Sequence, residues 1–195
     1  EHSRDSVSEA FRIIRTNMEF MRVKSKDMQV VMFTSTNPGA GKTFVSTNLA
    51  MSFALANKKV ILLDVDIRKG TLTETQTLSA SRLGLTHYLS GKTDHTADII
   101  VSKAVEERLD LIPAGPVPPN PAELLLSDRF DTLIAELRKQ YDYIILDNVP
   151  AQLVADAAIV NRVADLTIYV IRSGVMDRRQ LPDLERLYKE ERFHN

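Results

Sequence analysis

Asn37-Pro38-Gly39-Ala40-Gly41-Lys42-Thr43 stands between two patterned segments. Before it, Gln29-Val-Val-Met-Phe-Thr34 is apolar and rich in β-branched residues, as in a buried strand; after it, residues 42–56 read as a helix. A glycine-rich turn in that setting is what a phosphate-binding loop requires. Gly39 and Gly41 allow a tight bend and a close backbone approach to an anion. The N–H groups of residues 39–43 would gather at a helix N-terminus, where the dipole is positive. Lys42 is placed to reach β- and γ-phosphates as a point charge, and Thr43 to offer a hydroxyl to Mg²⁺. Asn37, Pro38, Ala40 and Phe44 complete the segment expected around a nucleotide. Thr36 occupies the position where such loops usually carry their first glycine.

Two further apolar runs end in aspartate. Val60-Ile-Leu-Leu-Asp64 continues as Val65-Asp66-Ile67-Arg68. On a strand, Asp64 and Asp66 would share a face. Tyr143-Ile-Ile-Leu-Asp147 ends in a single carboxylate, the arrangement that orients Mg²⁺ or its waters beside a phosphate loop. Open α/β sheets bind ligands at the C-terminal ends of their strands. Mg²⁺ takes few protein ligands and keeps several waters. Thr43 with Asp64, Asp66 and Asp147, acting partly through water, would therefore hold it. Each aspartate alone reads equally well as a cap or turn residue. Together, three carboxylates beside a triphosphate would repel it unless a metal intervened.

The remaining chain alternates between helix and strand patterns. An amphipathic helix is expected over residues 6–22, opened by a Ser6/Glu9 capping box, with Val7, Ala10, Phe11, Ile14, Met18 and Met21 along one stripe. Residues 67–107 are the least determined stretch, with short helices expected near 85–89 and 97–105. A strand follows at Leu109-Asp-Leu-Ile112. Proline makes residues 115–121 irregular, and Pro121 can open a helix. A helix capped by Asp128 and running to about Tyr141, one over 156–163, a strand at 166–171 and a last helix over 178–192 complete the pattern. Nearly continuous apolar strands separated by helices imply an α/β fold: a doubly wound, mostly parallel sheet with helices on both faces.

With 195 residues the chain is expected to form one domain, 1–195. Residues 1–27 would be an N-terminal helix and oligomerisation segment, and 28–195 a nucleotide-binding core, expected to be without its C-terminal strand and tyrosine tail. The chain has 25 basic and 26 acidic side chains and a net charge of −1, so its charge gives no basis for nucleic acid as a partner. It has no cysteine, which excludes disulfides, thiolate catalysis and Cys-based zinc sites. No apolar run approaches the ~20 residues of a membrane span.

Five stretches, in order from Glu9 to Gly174, resemble motifs of the bacterial tyrosine kinases. They are Glu9-Ala-Phe-Arg12-Ile-Ile-Arg15, residues 35–43, Leu63-Asp64-Val-Asp66-Ile-Arg68, the Pro113-Ala-Gly and Pro119-Asn-Pro-Ala-Glu-Leu-Leu125 segment, and residues 165–174. The resemblance implies a P-loop NTPase of the MinD/ParA-like branch that transfers the γ-phosphate of Mg·ATP to tyrosine. Lys42 would hold phosphates and Asp64 would be the base for the tyrosine hydroxyl. Asp66 and Asp147 would support Mg²⁺, and Arg68 completes the second motif. It also implies autophosphorylation of a C-terminal tyrosine tail in trans within a homo-oligomeric, octamer-like ring. The implied setting is the cytoplasmic face of the bacterial inner membrane. There the domain works with a membrane chain-length-regulator or activator segment, fused or separate, and a cognate tyrosine phosphatase, in exopolysaccharide or capsule export. The sequence departs from the family in two ways. Its tyrosines (Tyr88, Tyr141, Tyr143, Tyr169, Tyr188) are dispersed rather than clustered, and Asp147-Asn-Val-Pro150 replaces the more usual Asp-Thr-Pro-Pro.

Glu9, Arg12 and Arg15 recur every three residues, so steps of about 300° keep them within about 120° of arc opposite the apolar stripe. By themselves they read as a solvated charged face. The resemblance implies that they dock on a neighbouring subunit and close a ring. An ATP-switched dimer of the MinD/ParA type is the alternative. Those proteins place a lysine early in the loop, where this chain has Asn37-Pro38. The neighbourhood of Arg172–Gly174 is where adenine is expected.

Overall fold

The computed structural model describes residues 2–24, 28–70, 72, 83–150 and 156–190. Their strands are β1 (Val30–Ser35), β2 (Val60–Asp64), β3 (Val101–Glu106), β4 (Leu109–Ile112), β5 (Tyr143–Asp147) and β6 (Leu166–Val170). Among the described residues they form one six-stranded sheet in the order β3-β4-β2-β5-β1-β6. All neighbours pair in parallel except β3, which runs antiparallel to β4. Alternation along the strands explains why the apolar runs are unbroken: each strand feeds two cores. Val30, Met32, Ile61, Leu63, Ile144 and Leu146 face one core; Val31, Phe33, Val60, Leu62, Tyr143 and Ile145 face the other.

The helices are α1 (His2–Lys24), α2 (Lys42–Leu55), α3 (Leu85–Leu89), α4 (Pro121–Leu126), α5 (Asp128–Arg138), α6 (Asp156–Asn161) and α7 (Leu181–Lys189). α2 covers one face with Leu49, Ala50, Phe53 and Ala54, and Phe53 stacks on Tyr143 at 3.9 Å between ring centroids. α3, α4, α5 and α6 contribute to the other face, through Tyr88, Leu125, Phe130, Leu133, Leu137 and Val160 among others. The result is the doubly wound, three-layer α/β architecture expected.

Four expectations need correction. Residues 97–105 were expected to be helical; they form a short 3₁₀ turn (Thr96–Asp98) and then β3. Pairing Val101 against Leu111 recruits this segment to the sheet edge. An irregularity centred on Lys103, whose φ is 53° and whose N–H bonds Asp110 Oδ1 at 2.9 Å, absorbs the register shift. α1 begins at His2, so Ser6 and Glu9 lie inside the helix and not at its cap. α5 stops at Arg138, with Ser127 and not Asp128 at its N-cap. The last helix is shorter than 178–192: a 3₁₀ turn (Arg178–Gln180) precedes α7, and residues 191–195 lie outside those described.

α1 also differs in what its charged stripe does. Only Phe11 and Met18 of its apolar stripe are deeply buried; Val7, Ile14 and Met21 are exposed. Arg15 does not face outward. Its guanidinium donates to the Ser52 carbonyl of α2 at 2.7 Å and to the Ser52 hydroxyl at 3.3 Å. The long arginine side chain carries its guanidinium from the edge of the stripe to the neighbouring helix. Among the described residues no helix is long and apolar enough to cross a membrane.

Candidate active site

The sheet order places β5 between β1 and β2, so the C-terminal ends of these three parallel strands meet. Asp147 pairs in register with Phe33 on one side and Asp64 on the other. Beyond the strands, Asn148 N–H donates to the Phe33 carbonyl at 3.2 Å and Val65 N–H to the Asp147 carbonyl at 3.0 Å. These bonds carry the ladder up to the point where β1 turns into α2.

That turn holds Gly39 at φ 76° and Gly41 at φ 95°, both in the left-handed region that favours glycine. Gly41 is the N-cap of α2. No side chain caps the helix and its first turn has no acidic residue. Its leading N–H groups and dipole therefore remain available to an anion. Lys42 and Thr43 open the helix directly over Asp147.

Thr43 Oγ1 donates to Asp147 Oδ2 at 2.6 Å, while Asp147 Oδ1 is buried with no hydrogen-bond partner. Burial, opposed by the Thr43 bond and by Lys42, pushes the Asp147 carboxyl up to about 6. Burial also lowers the Lys42 ammonium, against the attraction of Asp147 and Asp66. An orphaned carboxylate oxygen beside a hydroxyl and an ammonium is a half-built cation and phosphate site.

A cavity of about 290 Å³ opens here, lined by Pro38, Gly39, Gly41, Lys42, Thr43 and Asp147 together with Asp66 and Arg68. Of the residues expected around nucleotide, Asn37, Ala40 and Phe44 are outside this lining. Ala40 is buried, and Phe44 packs edge-on against Phe11 at 6.0 Å.

Asp64 and Asp66 part company. The strand ends at Asp64, which is fully buried and does not line the cavity. Asp66, past the strand, does. Its carbonyl accepts from Lys69 N–H (3.2 Å) and Gly70 N–H (2.7 Å), and its carboxylate from Lys69 N–H (3.1 Å). Asp66 thus builds the turn that presents Arg68 and Lys69 to the cavity. The shared strand face expected for the two aspartates is not formed, because the backbone leaves the sheet between them. Among the described residues no three acidic or histidine side chains converge as a metal cage. The fit is to a cation that keeps most of its waters, held from Thr43 and Asp147.

Lys69, Asn148, Val149 and Pro150 also line the cavity and were not singled out as site residues in the sequence. Lys69 follows Arg68 directly, and that basic pair was its only signal. Asn148, the departure after β5, is buried: its Oδ1 accepts from Val149 N–H at 2.8 Å and its amide lies 3.2 Å from Met32 Sδ. Thr34 Oγ1 donates to the Val149 carbonyl at 2.9 Å and fixes the same turn. Glu9 and Arg12 pair at 2.9 Å on the exposed face of α1 and do not line the cavity.

An uncapped, glycine-shaped loop on β1, an aspartate at the end of β5 and an Asp-x-Asp-x-Arg turn after β2 define a P-loop nucleotide-binding domain. A family profile described as an AAA domain matches residues 28–176. Tyrosine-protein kinase YwqD of Bacillus subtilis is 43% identical over 173 residues, 89% of this chain and 71% of that protein. Tyrosine-protein kinase CpsD of Streptococcus agalactiae is 40% identical over 170 residues, covering 87% and 71%. The kinase domain of the Escherichia coli tyrosine kinase ETK superposes with a TM-score of 0.86 at 34% identity, covering 94% of this chain and 71% of that one. The chain belongs to the bacterial tyrosine-protein kinases.

Proposed function

We propose that the domain binds Mg·ATP in the β1–α2 cavity and transfers the γ-phosphate to tyrosine hydroxyls. The transfer is expected on a C-terminal tail of a neighbouring subunit in a ring, in the service of exopolysaccharide or capsule export at the inner face of the membrane. The observation that carries this reading is the Thr43–Asp147 contact of 2.6 Å, with the second Asp147 oxygen orphaned beneath Lys42 in a glycine-shaped cradle. Backbone amides of the loop and Lys42 hold phosphate oxygens; Thr43 and Asp147 hold Mg²⁺ through one hydroxyl and one carboxylate; Arg68 and Lys69 add positive charge at the rim. Bound Mg²⁺ would neutralise charge developing on the phosphates. Phosphoryl transfer depends mainly on positioning and charge neutralisation, which this set supplies.

The resemblance gives Asp64 the role of base, and its burial argues for a supporting role behind Asp147. Asp66, which lines the cavity, is the carboxylate better placed to meet an incoming hydroxyl. A docked activator segment and a phosphatase that reverses the modification fit this reading.

With γ-labelled ATP, Mg²⁺ and a tyrosine-rich peptide, phosphotyrosine should form and should vanish in Lys42→Met. Phosphate release without phosphotyrosine would instead support an ATP-switched ATPase. Asp66→Asn losing transfer more completely than Asp64→Asn would support Asp66 as the base; the reverse order would restore Asp64.

A further inference from the structure

The phosphate loop turns its inner wall to the cavity; its outer wall is held as well, by the segment that leaves β6. The parallel register sets Tyr169 opposite Thr34 and Val170 opposite Ser35, so the end of β6 lies beside the entry to the loop. Two links then cross from it. The hydroxyls of Thr36 and Tyr169 lie 3.0 Å apart and share a hydrogen bond, and Arg172 Nη1 donates to the Gly39 carbonyl at 3.3 Å. A third, longer contact joins Asn37 Nδ2 to Gln180 Oε1 at 3.4 Å. Within the loop, Ser35 Oγ donates to the Asn37 carbonyl at 2.8 Å.

These contacts engage the loop from outside. In an anion-binding loop successive N–H groups must point inward, which requires the intervening carbonyls to point away. Gly39 has no Cβ to hold its peptide in place and sits at φ 76°, a conformation glycine leaves readily. A cationic donor on its carbonyl keeps that peptide turned so that the following N–H faces the cavity. Thr36 stands at the position where a glycine is usual, and its side chain gives Tyr169 a point to grip that glycine could not offer. Tyr169 is half-buried, so its ring also fixes the height of the loop above β6.

We propose that Tyr169 and Arg172 are positioning residues that hold the phosphate loop in its anion-binding form, so that the segment following β6 sets nucleotide affinity. This rests on the nucleotide-binding reading above. Neither residue lines the cavity, so neither needs to touch the ligand.

The test is calorimetric titration of Mg·ATP and of Mg-tripolyphosphate, a base-free probe, into wild type, Arg172→Ala, Arg172→Lys, Tyr169→Phe, Thr36→Val and the Tyr169→Phe/Thr36→Val double variant. The melting temperature of each ligand-free protein is measured in parallel. Arg172→Ala should weaken both ligands by a similar factor of about five, the scale of one charge-assisted bond at an exposed site. Its melting temperature should change little, and Arg172→Lys should recover most of the affinity. Tyr169→Phe and Thr36→Val should each weaken binding by about two- to fourfold and should not add in the double variant. Wild-type affinity in Arg172→Ala overturns the proposal. So does a loss confined to ATP that spares tripolyphosphate, which would place Arg172 on the base. Failure of the wild type to bind either ligand, or binding indifferent to Lys42→Met, would instead remove the nucleotide reading itself.

Discussion

Burial opposes the ionisation of Asp147. An acid whose value rises on folding, here to about 6, binds its proton more tightly folded than unfolded. Its ionisation therefore removes stability as pH climbs from the unfolded value toward the folded one, and at neutral pH the full cost stands. Asp147→Asn keeps the shape and an acceptor for Thr43 while deleting the charge. In EDTA at pH 7.5 it should stabilise the domain by about 1–3 kcal/mol, seen as a melting temperature several degrees higher. Mg·ATP should then stabilise the wild type more than ATP in EDTA does, an increment that the variant should lack. A lower melting temperature for the ligand-free variant would contradict this. On the expected outcome the ligand-free site would hold its charge at a cost that a bound cation offsets.

At the scale of elements, Asp165 ties three of them together at the end of the sheet opposite the cavity. One carboxylate oxygen accepts from the N–H groups of Gln29 (2.9 Å) and Val30 (2.7 Å), and both oxygens accept from Arg138 at 2.7 and 2.8 Å. Burial opposes its ionisation, but Arg138 and the two amides outweigh burial and hold the carboxyl below its ordinary value. A lowered acid contributes stability that is present above the unfolded value, about 3.9, and is lost as pH falls through the folded value beneath it. Asp165→Asn should cost about 1–3 kcal/mol in urea unfolding at pH 7. The gap to wild type should narrow as pH falls below about 4; a gap independent of pH would contradict the linkage. Most elements were legible because their sequence signals are local: the apolar strands, the glycine turn, Pro121 at a helix start. β3 was not, because an edge strand is defined by its partner, and Val101-Ser-Lys-Ala-Val-Glu106 carries no run that excludes a helix. The carboxylates were legible by type and strand, but the division between buried Asp64 and cavity-lining Asp66 depends on where the backbone leaves the sheet. Arg15 was misjudged because helical geometry gives the direction of Cβ, not the reach of a guanidinium.

For the whole molecule, the grip of Arg15 on Ser52 separates two questions that the stripe of Glu9, Arg12 and Arg15 had joined. Arg15→Ala should loosen α1 from α2 and lower the melting temperature, whatever the assembly. Arg12, which among the described residues pairs with Glu9 on an exposed face, is the cleaner probe of docking between copies. Arg12→Ala should shift sedimentation from oligomer to monomer with the melting temperature unchanged; an unchanged profile would reject that role. The fold also sorts the tyrosines. Tyr88, Tyr141 and Tyr143 are buried and Tyr169 is half-buried, while Tyr188 is 66% exposed. Mass spectrometry of the domain after incubation with Mg·ATP and an active kinase should find no phosphate on the three buried tyrosines, and phosphate there would mean that the domain opens during catalysis.

All of this depends on a metal-assisted grip on a triphosphate by one loop and one aspartate. Titrating ATP into the domain with Mg²⁺ and again with EDTA, for wild type, Lys42→Met and Asp147→Asn, tests it most directly. Tight binding by the wild type only with Mg²⁺, lost in Lys42→Met and no longer enhanced by Mg²⁺ in Asp147→Asn, is the expected result. Equal binding with and without the metal, or binding indifferent to both substitutions, would contradict it.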